Sequence, residues 1–170
     1  FTAVGVDLIR DESGCSKTTL YTYFKNKQQL VNEVLSARDA RFRSALTEYV
    51  AEAQGLAALE KIYHWHMQWF QTDTFKGCLF VRAVGESAQS DQQLIEISRN
   101  HKKWIQLLIA SHCTCLPNPH MVAELFYTLL EGLISRFMVD GYDQQIAAQH
   151  WQMILQWVGP QHNSTDVSSC

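Results

Sequence analysis

The chain has 170 residues, of which 46% are hydrophobic, so it can form one domain, or a small and a medium domain that share a core. Three prolines and eight glycines argue against a turn-rich all-β fold, and no uncharged apolar run approaches the roughly 18–20 residues of a membrane span. A net charge of −3 excludes a uniformly basic nucleic-acid binder, yet residues 15–43 hold six basic residues and only two acidic ones. This local basic face suits an anionic partner.

The first predicted elements are two short helices separated by a tight turn. Helices are predicted over residues 5–13 and 17–24, with Gly14 as a left-handed C-terminal cap and Ser16 as the next N-cap. This order is typical of a helix-turn-helix, whose second helix enters the major groove of DNA. A long helix is predicted over residues 27–53. Leu30, Val34, Ala37, Arg41 and Ala45 are expected to lie along one side of this helix.

The remainder of the chain also has helical patterns. Apolar residues at three- and four-residue steps from Leu56 to Phe70 predict an amphipathic helix. A short helix is predicted over 78–88, and a longer one from a cap at Ser90 and Asp91 onward. Residues 121–140 are apolar on most faces, which indicates a helix buried on several sides. A last helix is predicted over 144–158. The predicted fold class is therefore all-α.

The second helix of the pair has a distinctive composition. It carries five hydroxyl groups and a lysine but no acid, and such donors suit phosphates and base edges. The segment over residues 14–30 begins Gly14-Cys15-Ser16-Lys17-Thr18-Thr19-Leu20-Tyr21 and ends at Leu30. It resembles the DNA-binding signature of the tetracycline-repressor (TetR) family, roughly G-V-S-K-G-T-L-Y-x-Y/H-F-x-x-K-x-x-L.

This resemblance implies roles for individual residues. The expected DNA contacts are Ser16, Lys17, Thr18, Thr19, Tyr21, Thr22, Tyr23 and Lys27. The expected small core that fixes the angle between the helices is Ile9, Leu20, Phe24 and Leu30. Cys15 replaces the usual valine and is expected to be a small buried hydrophobe. The family usually has one further helix before this motif, so we expect the chain as given to lack its first helix.

The resemblance also implies an organisation and a function. We expect a helix-turn-helix domain over residues 1–45, a ligand-binding and dimerisation domain over 46–158, and a flexible tail over 159–170. Homodimers would form through the helices near 119–140 and 144–158, with Leu133 and Trp151 as test positions. The implied function is a cytoplasmic transcriptional regulator, a repressor released from a pseudo-palindromic double-stranded DNA operator by a small-molecule inducer.

The aromatic residues of the larger region predict a ligand cavity. A mainly apolar pocket with a few polar groups is typical of small-molecule sites. The expected lining residues are Tyr63, His66, Phe70, Phe80, Glu86, Trp104, Phe126 and Leu130. Glu86 or Glu131 would match a cationic ligand, whereas His66 or Arg82 would match an anionic one, and the pattern leaves both open.

Metal, redox and enzyme functions are weighed as alternatives. His64 and His66 lie about 200° apart on a helix and cannot chelate one ion, because each residue turns the helix by about 100°. Thiolate and imidazole groups suit zinc or copper(I), and the chain offers them at Cys113, Cys115, His112 and His120. A helical redox- or ligand-sensing dimer that does not act on DNA is therefore the alternative function. We expect no resident metal or other cofactor, reduced cysteines and, because catalytic motifs are lacking, no enzymatic activity.

Overall fold

The structure is a computed structural model that describes residues 5–88 and 91–158, and these residues form eight helices without a strand. The helices are α1 (Val6–Ser13), α2 (Lys17–Tyr23), α3 (Lys27–Val50), α4 (Gly55–Phe70), α5 (Leu79–Glu86), α6 (Gln92–Cys113), α7 (Pro119–Asp140) and α8 (Gln144–Val158). The predicted all-α fold is confirmed. Within the described ranges, no helix is long and apolar enough to cross a membrane. The predicted cap at Ser90 and the tail over 159–170 lie outside the described residues.

Local sequence explains several helix ends. Ala51 ends α3 because its φ of 48° is not helical, so this helix stops before the predicted residue 53. Helix α7 begins at Pro119, two residues before the predicted start. Proline suits the first turn of a helix, because its fixed φ is close to the helical value and the backbone N–H that it lacks would have no partner there. Asp143 precedes α8 and accepts hydrogen bonds from the backbone N–H groups of Gln145 and Ile146, at 2.8 and 3.0 Å.

The chain divides into two compact units. The first contains the described residues among 1–51 and 76–105, and the second contains those among 52–75 and 106–170. The first unit therefore holds α1, α2, α3, α5 and most of α6. The second holds α4, the end of α6, α7 and α8.

The first unit buries one side of α3. The buried residues of α3 are Asn32, Leu35, Phe42, Leu46 and Val50, whereas Val34, Arg41 and Ala45 are exposed. The side that carries Val34, Arg41 and Ala45 is therefore not the buried one. The larger apolar side chains at positions 35, 42 and 46 define the side that is buried.

The second unit is built around aromatic residues of α4. Seven residues of this helix are buried, and they include Leu59, Ile62, Tyr63, His66 and Phe70, which recur at helical spacing. The Phe70 ring lies 5.5 Å from that of Phe137 on α7, and the Tyr63 hydroxyl donates a 2.7 Å hydrogen bond to the backbone carbonyl of Ala147 on α8. These contacts join three helices of the second unit.

Candidate nucleic-acid interface

The turn between α1 and α2 has the geometry that its sequence predicts. Gly14 adopts a left-handed conformation with φ of 69°, and its N–H donates a 3.0 Å hydrogen bond to the Arg10 carbonyl. Only glycine adopts such a conformation without a steric penalty, so this residue can close α1 and redirect the chain. The next backbone N–H, that of Cys15, donates to the Ser13 hydroxyl at 3.3 Å.

The N-terminus of α2 is fixed by hydroxyl groups of its own sequence. Ser16 is the N-cap, as predicted, and its Oγ accepts a 3.0 Å hydrogen bond from the backbone N–H of Thr19. The hydroxyls of Ser16 and Thr19 are 2.9 Å apart, and the Thr22 hydroxyl donates to the Thr18 carbonyl at 2.8 Å. Three of the predicted DNA-contacting hydroxyls therefore have intramolecular partners in the unbound protein.

The predicted DNA-contacting residues lie mainly on the surface. Seven of the eight are exposed, and Lys27 at the start of α3 is half-buried. Tyr21 is 55% exposed and Tyr23 is 72% exposed. A tyrosine ring has an apolar face and a hydroxyl group, so an exposed phenol can both pack against sugar and donate to phosphate. Contact of these residues with DNA stays a prediction.

Lys17, the first residue of α2, is held by an acid that the sequence analysis did not connect to it. Its ammonium nitrogen lies 2.5 Å from a carboxylate oxygen of Asp7 on α1. Asp7 also pairs with Arg10 at 3.1 Å, and Arg10 donates to Asp11 at 2.7 Å. The hydrogen bond from Lys17 lowers the pKa of Asp7, with a further contribution from the positive charge of Arg10. No helical period relates positions 7 and 17, so only the turn geometry reveals this pair.

The small core under α2 is less buried than expected. Ile9, Leu20, Phe24 and Leu30 are all half-buried in the structure. The expectation that Cys15 is buried was wrong: its side chain is exposed, in the turn that follows the left-handed residue Gly14.

The start of α3 is also capped by its own side chains. Asn26 is the N-cap and accepts a 2.8 Å hydrogen bond from the backbone N–H of Gln29. The Gln29 side chain in turn accepts from the backbone N–H of Lys25 at 2.8 Å. This reciprocal pattern resembles a capping box, and it fixes the short connection between Phe24 and Lys27. The position of Lys27 relative to α2 is therefore well defined.

The residues predicted to line a ligand cavity are divided between the two units. Phe80, Glu86 and Trp104 belong to the first unit. The other five belong to the second unit and are buried: Tyr63, His66, Phe70, Phe126 and Leu130. The Nδ1 of His66 lies 2.7 Å from the Ile62 carbonyl of its own helix. A common cavity lined by all eight residues stays a prediction.

The cysteines near the end of α6 have different environments. Cys113 is buried, and burial raises its thiol pKa to about 11, so it is protonated at neutral pH. Cys115 is exposed. The nearby His112 has a partner in the protein, since its Nδ1 lies 3.3 Å from the amide oxygen of Gln54. Among residues 5–88 and 91–158, no group of three or more His, Cys, Asp or Glu side chains is placed to hold a metal ion.

Comparison with known proteins agrees with the resemblance inferred from the sequence. Residues 1–34 match the family described as "Bacterial regulatory proteins, tetR family". No curated protein sequence matches the chain. The matched residues contain α1, the turn, α2 and the first part of α3, so the match includes every predicted DNA-contacting residue.

Solved structures support the same assignment for the fold. A putative TetR transcriptional regulator from Streptomyces avermitilis is 15% identical, with a TM-score of 0.77 over 92% of this chain and 87% of that one. The reduced form of Escherichia coli NemR is 19% identical, with a TM-score of 0.75 over 91% and 88%. A TetR-family regulator from Streptomyces coelicolor is 18% identical, with a TM-score of 0.73 over 92% and 85%. The resemblance to the TetR family is thus confirmed in the N-terminal sequence and in the fold.

Proposed function

We propose that this chain is a DNA-binding transcriptional regulator that binds a double-stranded operator as a homodimer and is released from it by a small molecule. One observation carries the DNA-binding part of the proposal. A capped helix without acids, α2, lies on the surface with its lysine and tyrosines exposed, inside the segment that matches a family of bacterial regulators. Sequence-specific readers insert such a helix into the major groove.

The N-terminal half of α2 supplies the groups for this interaction. The Lys17 ammonium can neutralise a phosphate, and the Thr18 hydroxyl and Tyr21 ring lie exposed on the same helix. Binding a phosphate requires Lys17 to exchange its Asp7 partner for the DNA backbone. Asp7 therefore keeps the lysine in place before binding but also competes with the phosphate. The capping hydroxyls of Ser16 and Thr19 hold the helix end that approaches the DNA.

The proposed dimer interface lies on the exposed side of α7 and on α8. Leu125, Gly132 and Val139 are separated by seven residues, so they lie along one side of α7, and all three are exposed. Met153 on α8 is also exposed. Two exposed apolar side chains with a glycine between them, where a second backbone can approach closely, suit a helix-packing interface. A symmetric pair would present two copies of α2 to a pseudo-palindromic site.

Release by a ligand is the third part of the proposal. A small molecule lowers operator affinity only if it binds the DNA-free conformation more tightly than the DNA-bound one, and the coupling equals that difference in binding free energy. Repression by this protein would then end when the ligand is present. The eight residues predicted to line a cavity are the first positions to vary when inducers are sought.

The electrostatic role of two lysines provides the test of DNA binding. We expect Lys17→Ala and Lys27→Ala each to weaken binding to all sequences alike and to reduce the slope of log affinity against log salt by about one per protomer. Asp7→Asn should strengthen binding, since it removes the acid that competes for Lys17. Fluorescence anisotropy of a labelled duplex at several salt concentrations measures the affinity and the salt slope of all three variants.

Lys61→Ala is the matched control, because Lys61 is an exposed lysine on α4 in the second unit. Its salt slope should equal that of the unchanged protein. If both Lys17→Ala and Lys27→Ala also kept that slope, the phosphate contacts assigned to these lysines would be wrong.

A further inference from the structure

A polar cluster joins α3 to α6 inside the first unit. Asp39, in the middle of α3, accepts a 2.8 Å hydrogen bond from Nδ1 of His101 on α6. It also accepts hydrogen bonds from Nε and Nη2 of Arg43, at 2.9 and 2.7 Å. The His101 side chain is only 3% exposed and that of Asp39 is 16% exposed. Because water is largely excluded, a misplaced donor or acceptor in this cluster cannot easily be replaced by solvent.

The Arg43 side chain contacts α6 directly as well. Its Nη2 donates to the backbone carbonyl of Asn100 at 3.2 Å, and its guanidinium carbon lies 5.2 Å from the ring centroid of Trp104. Asn100, His101 and Trp104 lie within little more than one turn of α6, and Asp39 and Arg43 are one turn apart on α3. One turn of each helix is therefore joined by hydrogen bonds, which weaken steeply when distance or angle changes.

Two aromatic rings hold the His101 ring in its orientation. The Phe80 ring of α5 stacks on it, with centroids 3.7 Å apart and an interplanar angle of 15°. The Phe42 ring of α3 meets it edge-on at 4.9 Å, and both phenylalanines are buried. The stacking fixes the plane of the imidazole and hence the direction in which Nδ1 donates. The position of α3 against α6 is thus set by a donor that cannot turn freely.

Both helices joined by this cluster lead to parts of the proposed function. Helix α3 begins at Lys27, directly after the short connection from α2 that Asn26 and Gln29 cap. Helix α6 continues past residue 105 into the second unit, which also contains α7 and α8. In the proposed dimer, the two copies of α2 must be spaced to match two half-sites. A fixed position of α3 against α6 is one condition for that spacing.

We propose that Asp39 and His101 are positioning residues that set the spacing of the two α2 helices on operator DNA. They act through α3 and not by contact with DNA. The hydrogen bond between them keeps α3 in one position against α6, and Arg43 holds the carboxylate that accepts it. Without this bond, α3 can shift, and the two DNA-binding helices no longer fit a single half-site spacing. This inference rests on the proposed function.

Two substitutions separate the hydrogen bond from the packing of the ring. His101→Phe keeps a ring beside Phe80 but removes the donor to Asp39, whereas His101→Asn keeps a donor near the position of Nδ1 but removes the ring. Asp39→Ala removes the acceptor on α3 instead, so the test does not depend on one variant. Gln93→Phe is the matched control, because it adds the same ring at an exposed position of α6 in the first unit. Urea unfolding at pH 7 identifies the variants that are folded.

Anisotropy is measured with three duplexes: the one that the unchanged protein enriches from a random pool, the same duplex with one base pair inserted between its half-sites, and a single half-site. For His101→Phe and Asp39→Ala, we expect affinity for the enriched duplex to fall about tenfold or more. Affinity for the lengthened duplex and for the single half-site should stay within about twofold. Discrimination between the two spacings therefore falls, while His101→Asn and Gln93→Phe keep most of it.

Three results would overturn the positioning role. The first is unchanged affinity and unchanged discrimination between spacings in folded His101→Phe and Asp39→Ala. The second is an equal loss on all three duplexes, which indicates a damaged DNA-binding surface. The third is a larger loss of discrimination in His101→Asn than in His101→Phe, which assigns the role to ring packing. Failure of the unchanged protein to bind any duplex DNA is a separate result that refutes the proposed function and, with it, this inference.

Discussion

Leu125→Glu and Val139→Glu are expected to convert the protein into monomers and to weaken operator binding by about 100-fold or more. Both residues lie on the exposed side of α7, and Val139 is 76% exposed. Two carboxylates facing each other across a symmetric interface would lose their hydration without gaining partners, which opposes association. A monomer contacts only one half-site, so it loses the gain in affinity that comes from linking two binding modules, about 10²–10⁴-fold. Sedimentation velocity and anisotropy measure the two effects.

The choice of these positions depends on the structure. Leu133, which the sequence pattern suggests as an interface residue, is only 2% exposed within one protomer, so a charge there would disrupt the protomer's own core. Trp151 is half-buried, and its ring packs 5.2 Å from that of Tyr63 in the same chain. Leu107→Glu serves as the control, because Leu107 is an exposed apolar position of α6, and this variant should remain dimeric. If both α7 variants stayed dimeric and folded, the interface would lie elsewhere.

Acid should destabilise the protein through His101, by about 3 kcal/mol between pH 7 and pH 4. Burial is the main cause that lowers the His101 pKa from 6.5 to about 4, even though the hydrogen bond to Asp39 favours the charged form. The folded protein therefore keeps this ring neutral, whereas the unfolded chain binds a proton below pH 6.5. The contribution to stability is complete above pH 6.5 and is lost as the pH falls toward 4.

His101→Gln should remove this part of the pH dependence. Urea unfolding at several pH values between 7 and 4 gives the free energy of unfolding of the variant and of the unchanged protein. The difference between these two free energies should shrink as the pH falls. If His101→Gln lost as much stability in acid as the unchanged protein, the neutral buried histidine would be the wrong explanation.

Local signals in the sequence predicted the helix pair well. Gly14 and Ser16 form the predicted caps because their roles depend on backbone conformation and on bonds to residues three or four positions away. The apolar pattern of α4 predicted its buried side for the same reason, since large side chains recur there at helical spacing. In both cases, the information lies within one or two turns of the chain.

Longer-range features could not be predicted in this way. The sequence pattern does not decide the buried side of α3, because the helix has several partly apolar sides and its partners determine which one is covered. The Lys17–Asp7 pair depends on the turn between two helices, and the Asp39–His101 pair joins positions 62 residues apart. Each of these contacts requires a tertiary arrangement that no single helix pattern contains.

Selection of duplex DNA from a random pool tests the central claim most directly. The account predicts enrichment of a pseudo-palindrome whose half-sites are about one helical turn apart or a multiple of it, since a two-fold dimer presents two copies of α2. Lys17→Ala, Lys27→Ala and the α7 variants would bind this selected duplex more weakly than the unchanged protein. Recovery of no preferred sequence, together with equal binding by all these variants, would contradict the assignment of α2 as a DNA-reading helix.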